Sequence, residues 1–373
     1  MSAIDRGSAA SDEAFMREAI ELAERGLGLV EPNPMVGCVI VSPRGEVVGR
    51  GWHGRFGGPH AEVEALQQAG EQARGSTLYV TLEPCSHFGK TPPCADAVIA
   101  AGVARVVAAM TDPFPKVQGG GFAKLRSAGI AVESGVCEAE ARALCAPYLK
   151  LVTRGMPWVI AKWAMTLDGK IATRSGYSQW ISCSQSRELV HGIRGRVDGI
   201  MVGRRTVELD DPLLTARPPG KRTPARIVLD SQARLQNSTQ LVRTARQSPV
   251  LVVTGPEADD KEIRRLSMAG CEVLPFLAAT HFERLLELLS ELGRRQMTNI
   301  LVEGGAKLLG SLLDARLVDE VHVFIAPKLF GGERAPGPVA GAGVEQVASA
   351  LELRNLKIDQ IGTDLYVSGR LHK

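Results

Sequence analysis

Residues 57–66, GGPHAEVEAL, and residues 81–94, TLEPCSHFGKTPPC, decide how the first part of the chain is read. The first stretch places His60 and Glu62 at the start of a helical pattern over Ala61–Ala69. The second separates Cys85 from Cys94 by eight residues, and Cys94 opens a further helical stretch, Ala95–Ala101. One imidazole and two thiols make three N/S ligands, which leaves a fourth tetrahedral position for water, as a catalytic zinc site requires. The partial positive charge of a helix N-terminus favours thiolate over thiol and so favours ligation by both cysteines. Zinc brings the pKa of its water toward neutrality. A carboxylate two residues from the histidine, here Glu62, is placed to carry protons from that water to a leaving amine.

The order H-x-E followed by P-C and a second cysteine is a known signature of zinc nucleobase deaminases. The spacing here is wider, with SHFGKTPP filling the gap, which separates this chain from the short-spaced cytidine, guanine and transfer-RNA deaminases. Two plainer readings compete. The cysteines could be buried apolar residues beside a surface histidine, or the three could belong to a structural zinc site. The second needs a fourth protein ligand, and no other His or Cys has suggestive spacing.

Outward from these motifs, short β-rich runs alternate with helical patterns. Strands are expected at Val36–Val41, Thr77–Thr81 and Val103–Ala108, then at Trp158–Lys162, Gly199–Val202, Arg226–Leu229, Val250–Val253, Asn299–Val302 and Val321–Ile325. Helices are expected at Ser184–Arg194, Lys261–Ala269, His281–Leu292 and Ala306–Ala315, with an amphipathic one through Phe15, Ala19 and Leu22 near the start. This alternation predicts an α/β architecture with mainly parallel sheet. A helix holding Tyr148 and Leu149 ends before a Gly and a Pro, so a seam is expected near 150–156, giving domains 1–152 and 153–373.

The 373 residues carry 44 basic and 41 acidic side chains, a balance that does not mark a nucleic-acid binder. Residues 1–150 hold 14 basic and 17 acidic groups, and 151–373 hold 30 and 24, so the second part favours anionic ligands. Seven scattered cysteines do not make the disulfide framework of a short secreted chain. No window approaches 18 apolar residues, and the first residues lack a basic region followed by an apolar one. A cytoplasmic protein is expected.

The second part has no G-x-G-x-x-G. Two other strand-to-glycine junctions suit a dinucleotide: DGIMVGRRT, around Gly203–Thr206, and ILVEGGAKLLGSLL, where Glu303, Gly304 and Gly305 precede a helix. Glycines let a pyrophosphate approach the backbone, and a helix N-terminus offers free N–H donors. Each junction is also what any strand–turn–helix connection looks like.

Nearly the whole chain, from EPNPMVGCVIV to LVDEVHVFIAPKLFGG, resembles the RibD family of bifunctional riboflavin biosynthesis enzymes. The matching deaminase motifs are PNP-x-VG, the His of GWH, HAE and EPCSHFGKTPPC. The reductase motifs are AMTLDGKIAT, SGYSQWIS, the helix ending at Arg194, VGRRTVELDDPLLTAR and LVEGGAKLLGSLL. The resemblance implies a cytidine-deaminase-like α/β/α domain followed by a dihydrofolate-reductase-like α/β domain using NADPH. It implies Zn2+ on His60, Cys85 and Cys94 with Glu62 as proton shuttle, and pyrimidine contacts at Asn33, His53, His87, Lys90 and Thr91. In the reductase it implies cofactor contacts at Ala164, Thr206, Asp210, Ser231 and Gly305, Ala306, Lys307, Leu308, Leu309, Gly310 and Ser311. Substrate contacts fall to Ser178, Trp180, Arg194, Leu214, Arg217 and Glu303. The implied reactions are deamination of 2,5-diamino-6-ribosylamino-4(3H)-pyrimidinone 5′-phosphate and NADPH reduction of 5-amino-6-(5-phosphoribosylamino)uracil, and the resemblance is compatible with a homo-oligomer.

Elementary chemistry agrees where it can be checked. Guanidinium forks such as Arg194 and Arg217 bind phosphate oxygens in pairs. Lys90 supplies a cation near His87 and Thr91, and Trp180 suits either a planar pyrimidine or core packing. Lys162 reads equally as a site residue or a surface charge, and the proton donor of the reductase is left open. Three departures from the family pattern stand out: Glu64 in place of a second His, Phe114 in place of Asn, and Arg204–Arg205 in place of small residues. The rival enzyme reading is a nucleic-acid or free-base deaminase with an unrelated second domain, which calls for a basic, aromatic-rich first part. A non-enzymatic rival is a zinc-stabilised binding module.

Overall fold

The computed structural model describes residues 3–89, 92–115 and 117–371, with side chains from Ser11 onward. The chain divides into two compact units, Met1–Gly155 and Met156–Lys373. The first unit closes on a helix that runs to Arg154 and is ended by Gly155 at φ 64°. That left-handed conformation costs glycine little.

Among its described residues the first unit has five strands: β1 (Gly37–Val41), β2 (Val47–Trp52), β3 (Thr77–Val80), β4 (Arg105–Ala108) and β5 (Ala131–Ser134). Its helices are α1 (Ala3–Glu24), α2 (Ala61–Ala69), α3 (Cys94–Ala100), α4 (Gly120–Ser127), α5 (Glu138–Leu144) and α6 (Ala146–Arg154). The sheet order is β2-β1-β3-β4-β5, antiparallel on both sides of β1 and parallel from β3 to β5. Alternate side chains serve opposite faces. Cys38, Ile40, Leu78, Val80 and Val106 pack against residues of α2, α3 and α4, whereas Val39, Val41, Tyr79 and Val107 pack against residues of α1, α5 and α6. The result is an α/β/α sandwich. The helix carrying His60 and Glu62 lies so close to β2 that a Cβ on Gly51 would sit 2.2 Å from the Ala61 carbonyl oxygen.

The second unit continues with β6 (Trp158–Thr166), β7 (Gly199–Gly203), β8 (Ala225–Leu229), β9 (Val250–Thr254), β10 (Glu272–Pro275), β11 (Asn299–Val302), β12 (Glu320–Ala326), β13 (Leu353–Ile361) and β14 (Asp364–Leu371). The helices are α7 (Ser184–Arg194), α8 (Arg204–Asp210), α9 (Gln240–Arg243), α10 (Asp260–Met268), α11 (His281–Arg294) and α12 (Ala306–Asp314). Sheet order is β10-β9-β8-β7-β11-β6-β12-β14-β13, parallel except in the last two pairings, where β14 runs against both its neighbours. Val159, Met201, Ile227 and Ile300 pack with residues of α11 and α12 on one face, and Ile160, Ile200, Val228 and Leu301 with residues of α7, α9 and α10 on the other. Both faces are covered, so these strands read as unbroken apolar runs. Because they are parallel, the carboxyl ends of β6, β7, β8 and β11 share one edge of the sheet. Among the described residues no helix is long and apolar enough to cross a membrane.

Candidate active sites

His60 is the residue before the first turn of α2, Cys94 is the first residue of α3, and Cys85 lies in the loop after β3. Residues remote in sequence thus meet at two helix N-termini facing the carboxyl end of a strand. His60 Nδ1 lies 3.0 Å from Cys94 Sγ and 3.7 Å from Cys85 Sγ, and the two sulfurs are 3.5 Å apart. A tetrahedral ion with Zn–N of about 2.0 Å and Zn–S of about 2.3 Å has ligand–ligand edges of roughly 3.5–3.8 Å, which two of the three separations match, and the third needs to open by only about 0.5 Å for these donors to hold zinc. The Cys94 backbone N–H donates to Cys85 Sγ at 3.3 Å. Hydrogen bonds from the Cys94 thiol, His60 and that N–H hold Cys85 well below its ordinary pKa, which favours the thiolate a metal needs.

Glu62 is 3 % exposed. Burial pushes its carboxyl up to about 7, with His60 opposing the shift. A carboxyl poised near neutrality suits a proton carrier. His53 is buried with its ring edge-on to His60 at 5.2 Å. His53 Nδ1 meets the Pro59 carbonyl oxygen at 2.8 Å and Nε2 meets Asn33 Nδ2 at 3.2 Å. The carbonyl takes a proton from Nδ1, so Nε2 accepts from the Asn33 amide. Burial holds His53 below its ordinary pKa, in the neutral form this pairing needs. His87 lies 6.4 Å from the Phe114 ring, and its buried Nδ1 has no hydrogen-bond partner among the described residues. The expected contacts Lys90 and Thr91 lie outside the described residues. Glu64 sits half-buried on α2.

Glu83 was quoted in the motif but given no role by sequence reasoning. It is buried, and its carboxylate accepts from the backbone N–H groups of Asp112 (3.3 Å), Gly119 (3.0 Å), Gly121 (3.0 Å) and Phe122 (3.2 Å). It therefore ties the Cys85 loop to the segment leading into α4. The available signal was a carboxylate directly before Pro-Cys, in a place where a solvated charge would have nothing to do.

In the second unit the two glycine junctions meet. The Gly203 N–H donates to the Gly304 carbonyl at 3.1 Å, and a Cβ on Gly305 would sit 3.2 Å from Thr206 Oγ1. Side chains here would close the space between the turns, so the glycines leave room for a pyrophosphate against backbone, and the site fits a dinucleotide. Gly305, Ala306 and Lys307 stand at the open end of α12. Leu308 and Leu309 point into the core, Gly310 packs against Ala340, and the Ser311 hydroxyl donates to the Lys307 carbonyl at 2.9 Å. Ala164 lies on β6 opposite Phe324, Asp210 accepts from the Ser178 hydroxyl at 2.9 Å, and Ser231 is exposed just past β8.

At the end of β11, Glu303 receives a two-pronged bond from Arg194, Nε to Oε1 at 2.6 Å and Nη2 to Oε2 at 2.7 Å. Burial opposes ionisation of Glu303, but the Arg194 guanidinium outweighs it and Lys162 adds to the effect, so the carboxyl stays below its ordinary range. Lys162 is held below its usual pKa by burial, with the Arg194 charge adding and Glu303 opposing. Its ammonium lies 5.6 Å from the Phe324 ring centroid. Lys162 is half-buried, which favours the site role over that of a solvated surface charge. Arg194 also donates to the Thr215 carbonyl (3.3 Å), and the backbone N–H of exposed Arg217 donates to His191 Nδ1 (3.2 Å). Leu214 is buried in the core, so only its backbone faces outward chemistry. Trp180 is 64 % exposed with the Arg187 guanidinium 4.8 Å from its ring centroid, so it is not core packing. The Lys328 ammonium donates to the Trp180 and Ile181 carbonyls at 2.8 and 2.7 Å, fixing the loop that carries Trp180.

Known proteins match these two halves. The model of the RibD C-terminal domain matches residues 157–367, and that of the cytidine and deoxycytidylate deaminase zinc-binding region matches residues 9–110. The chain is 42 % identical over 357 residues to riboflavin biosynthesis protein RibD of Aquifex aeolicus (strain VF5), covering 95 % of this chain and 97 % of that protein. It is 43 % identical over 369 residues to RibD of Escherichia coli (strain K12), covering 95 % and 98 %. The solved structure of Acinetobacter baumannii RibD superposes with a TM-score of 0.85 at 38 % identity, covering 98 % of this chain and 100 % of that one. A diaminohydroxyphosphoribosylaminopyrimidine deaminase/5-amino-6-(5-phosphoribosylamino)uracil reductase of Thermotoga maritima superposes with 0.82 at 36 % identity, with the same coverage.

Proposed function

The chain belongs to the RibD family of bifunctional deaminase–reductases of riboflavin biosynthesis, and from that premise we propose how its own residues divide the work. Residues 1–152 deaminate the 2-amino group of 2,5-diamino-6-ribosylamino-4(3H)-pyrimidinone 5′-phosphate, and residues 153–373 reduce the ribosyl chain of 5-amino-6-(5-phosphoribosylamino)uracil. The observation that carries the first assignment is the buried Glu62 carboxyl two residues from the converging His60, Cys85 and Cys94 donors.

Zinc held by His60, Cys85 and Cys94 supplies the Lewis acidity that makes water a nucleophile at neutral pH. The chain does the rest. Glu62, with its carboxyl near 7, takes a proton at one Oε and returns it to the departing amine. Asn33 and neutral His53 line the approach and orient the pyrimidine edge, and Phe114 narrows the space beside His87. Lys90 and Thr91 belong to the same proposed substrate set. The net −3 of residues 1–150, from 14 basic and 17 acidic groups, favours a small phosphorylated pyrimidine over a nucleic acid.

NADPH, when bound, would supply the hydride. Thr206, Asp210 and the Gly305–Lys307 turn hold it, together with Ala164, Ser231 and the rest of the stretch through Ser311. Arg194 and Glu303 brace one another beside the substrate, with Arg217, Ser178 and Trp180 around it. Lys162 is the proton source we assign: a buried ammonium with lowered pKa, beside the Glu303 carboxylate, gives up a proton more readily than a solvated lysine. All seven cysteines are free, as a reducing cytoplasm would keep them.

The experiment is ammonia release from the diaminopyrimidine phosphate by the purified chain. Glu62→Gln should cut the rate by about 10²–10⁴-fold while zinc content stays stoichiometric. Full activity in that variant would remove Glu62 from the mechanism.

A further inference from the structure

The sequence left Arg204 and Arg205 without a decided role. The structure separates them. Arg205 is exposed, whereas Arg204 turns along the carboxyl edge of the sheet toward Asp230. The strand pairing explains the meeting: β7 and β8 run side by side with Gly203 opposite Leu229, so the residues that follow each strand are neighbours. Arg204 Nε lies 3.4 Å from Asp230 Oδ1, and Arg204 also pairs with Glu208 one turn along α8.

Asp230 is an unusual neighbour for a cofactor edge. It is 2 % exposed; its Oδ2 accepts the Leu235 N–H at 2.7 Å, but Oδ1 makes no hydrogen bond among the described residues. Beside it opens a cleft of about 420 Å³ lined by Arg204, Gln232, Arg234 and Glu257 among others. Three further carboxylates line it and each is engaged, Glu208 by Arg204 itself, Asp259 by the Lys261 N–H at 2.7 Å and Glu262 by Arg265 at 2.7 Å. The cleft lies past β8 on the side away from β11. A dinucleotide whose pyrophosphate rests on the Thr206 and Gly304–Gly305 turns would send its adenosine half that way.

A bare carboxylate at the end of a strand beside an adenosine ribose accepts from the 2′-hydroxyl and repels a 2′-phosphate, whereas an arginine nearby accommodates the phosphate. Here the carboxylate is buried behind the Arg204 guanidinium, which lines the cleft in its place. We propose that Arg204 is the residue that makes this chain select a 2′-phosphorylated dinucleotide, by screening Asp230 and, with Arg234, gripping the adenosine 2′-phosphate. This rests on the reading of the second unit as a dinucleotide-dependent reductase.

The test is calorimetric titration of the full-length protein with 2′,5′-ADP and with 5′-AMP, which requires no turnover. Wild type should bind 2′,5′-ADP more tightly, and Arg204→Ser should weaken that binding roughly 10- to 100-fold, the worth of charge-assisted hydrogen bonds. Binding of 5′-AMP should change by less than about two-fold, because that ligand makes no call on the guanidinium at the 2′ position. The double variant Arg204→Ser, Asp230→Asn should recover part of the loss, since the exposed carboxylate is what then repels the phosphate. An unchanged 2′,5′-ADP preference in Arg204→Ser, with wild-type binding intact, overturns the assignment of Arg204 alone. Binding of neither nucleotide by folded wild type overturns it together with the dinucleotide reading.

Discussion

Replacing Glu303 by Gln would leave two half-buried cations, Arg194 and Lys162, facing an amide. The Arg194 and Glu303 side chains are 14 % and 6 % exposed and meet through two bonds of 2.6 and 2.7 Å. Removing one partner of such a pair leaves an uncompensated charge and destabilises by about 3–5 kcal/mol. For a unit of this size each kcal/mol moves the transition by about 2–4 °C, so the loss amounts to roughly 6–20 °C. Calorimetry on the whole chain should show that fall in the transition that NADP+ raises, with the other transition unmoved. The pH dependence sharpens the expectation. The folded-state pKa of Glu303 is lowered, so its stabilisation is complete above the unfolded value of about 4.3 and is lost as pH falls through the folded value. The gap between wild type and Glu303→Gln should therefore be full at neutral pH and narrow in acid. Lys162, already lowered, should drop further in the variant and regain stability for it as pH rises. A fall of less than about 2 °C, constant with pH, would refute the buried-pair argument.

Other expectations follow from the same contacts. Glu83→Gln should leave at least two of the four backbone N–H groups unsatisfied, at about 1–3 kcal/mol each, and lower the transition of the first unit; a stable variant would mean that the clamp is dispensable. Cys85→Ser should bring zinc, measured by atomic absorption, from stoichiometric to background, and retained zinc would point to a different ligand set.

The α/β class and most strands were legible because buried parallel strands such as Asn299–Val302 read as short apolar runs between helical patterns. Helices α2 and α7 fall where their periodicity placed them. Strands β2, β5, β10, β13 and β14 were not read. VVGRGW is broken by two glycines that make room for α2, AVES and EVLP are short, and LRNLKIDQI is exposed along almost its whole length, so no alternation marks it. The zinc-site residues were legible because their chemistry is written in residue type and order. What pairing does was not: Glu83 reaches groups from Asp112 to Phe122, and Lys162 gains its character from burial between Arg194 and Glu303, the latter just past a neighbouring strand. Likewise Arg204 became interpretable only once β7 and β8 set Asp230 beside it.

The central claim is that one chain holds two separable chemistries on separate residues. The direct measurement follows ammonia release and NADPH oxidation independently in the wild type, Glu62→Gln and Lys162→Met proteins, each supplied with the substrate of either step. Glu62→Gln should lose ammonia release yet oxidise NADPH with the deaminated pyrimidine phosphate, and Lys162→Met should do the opposite. Loss of both activities in either folded variant, or ammonia release surviving in Glu62→Gln, would contradict it.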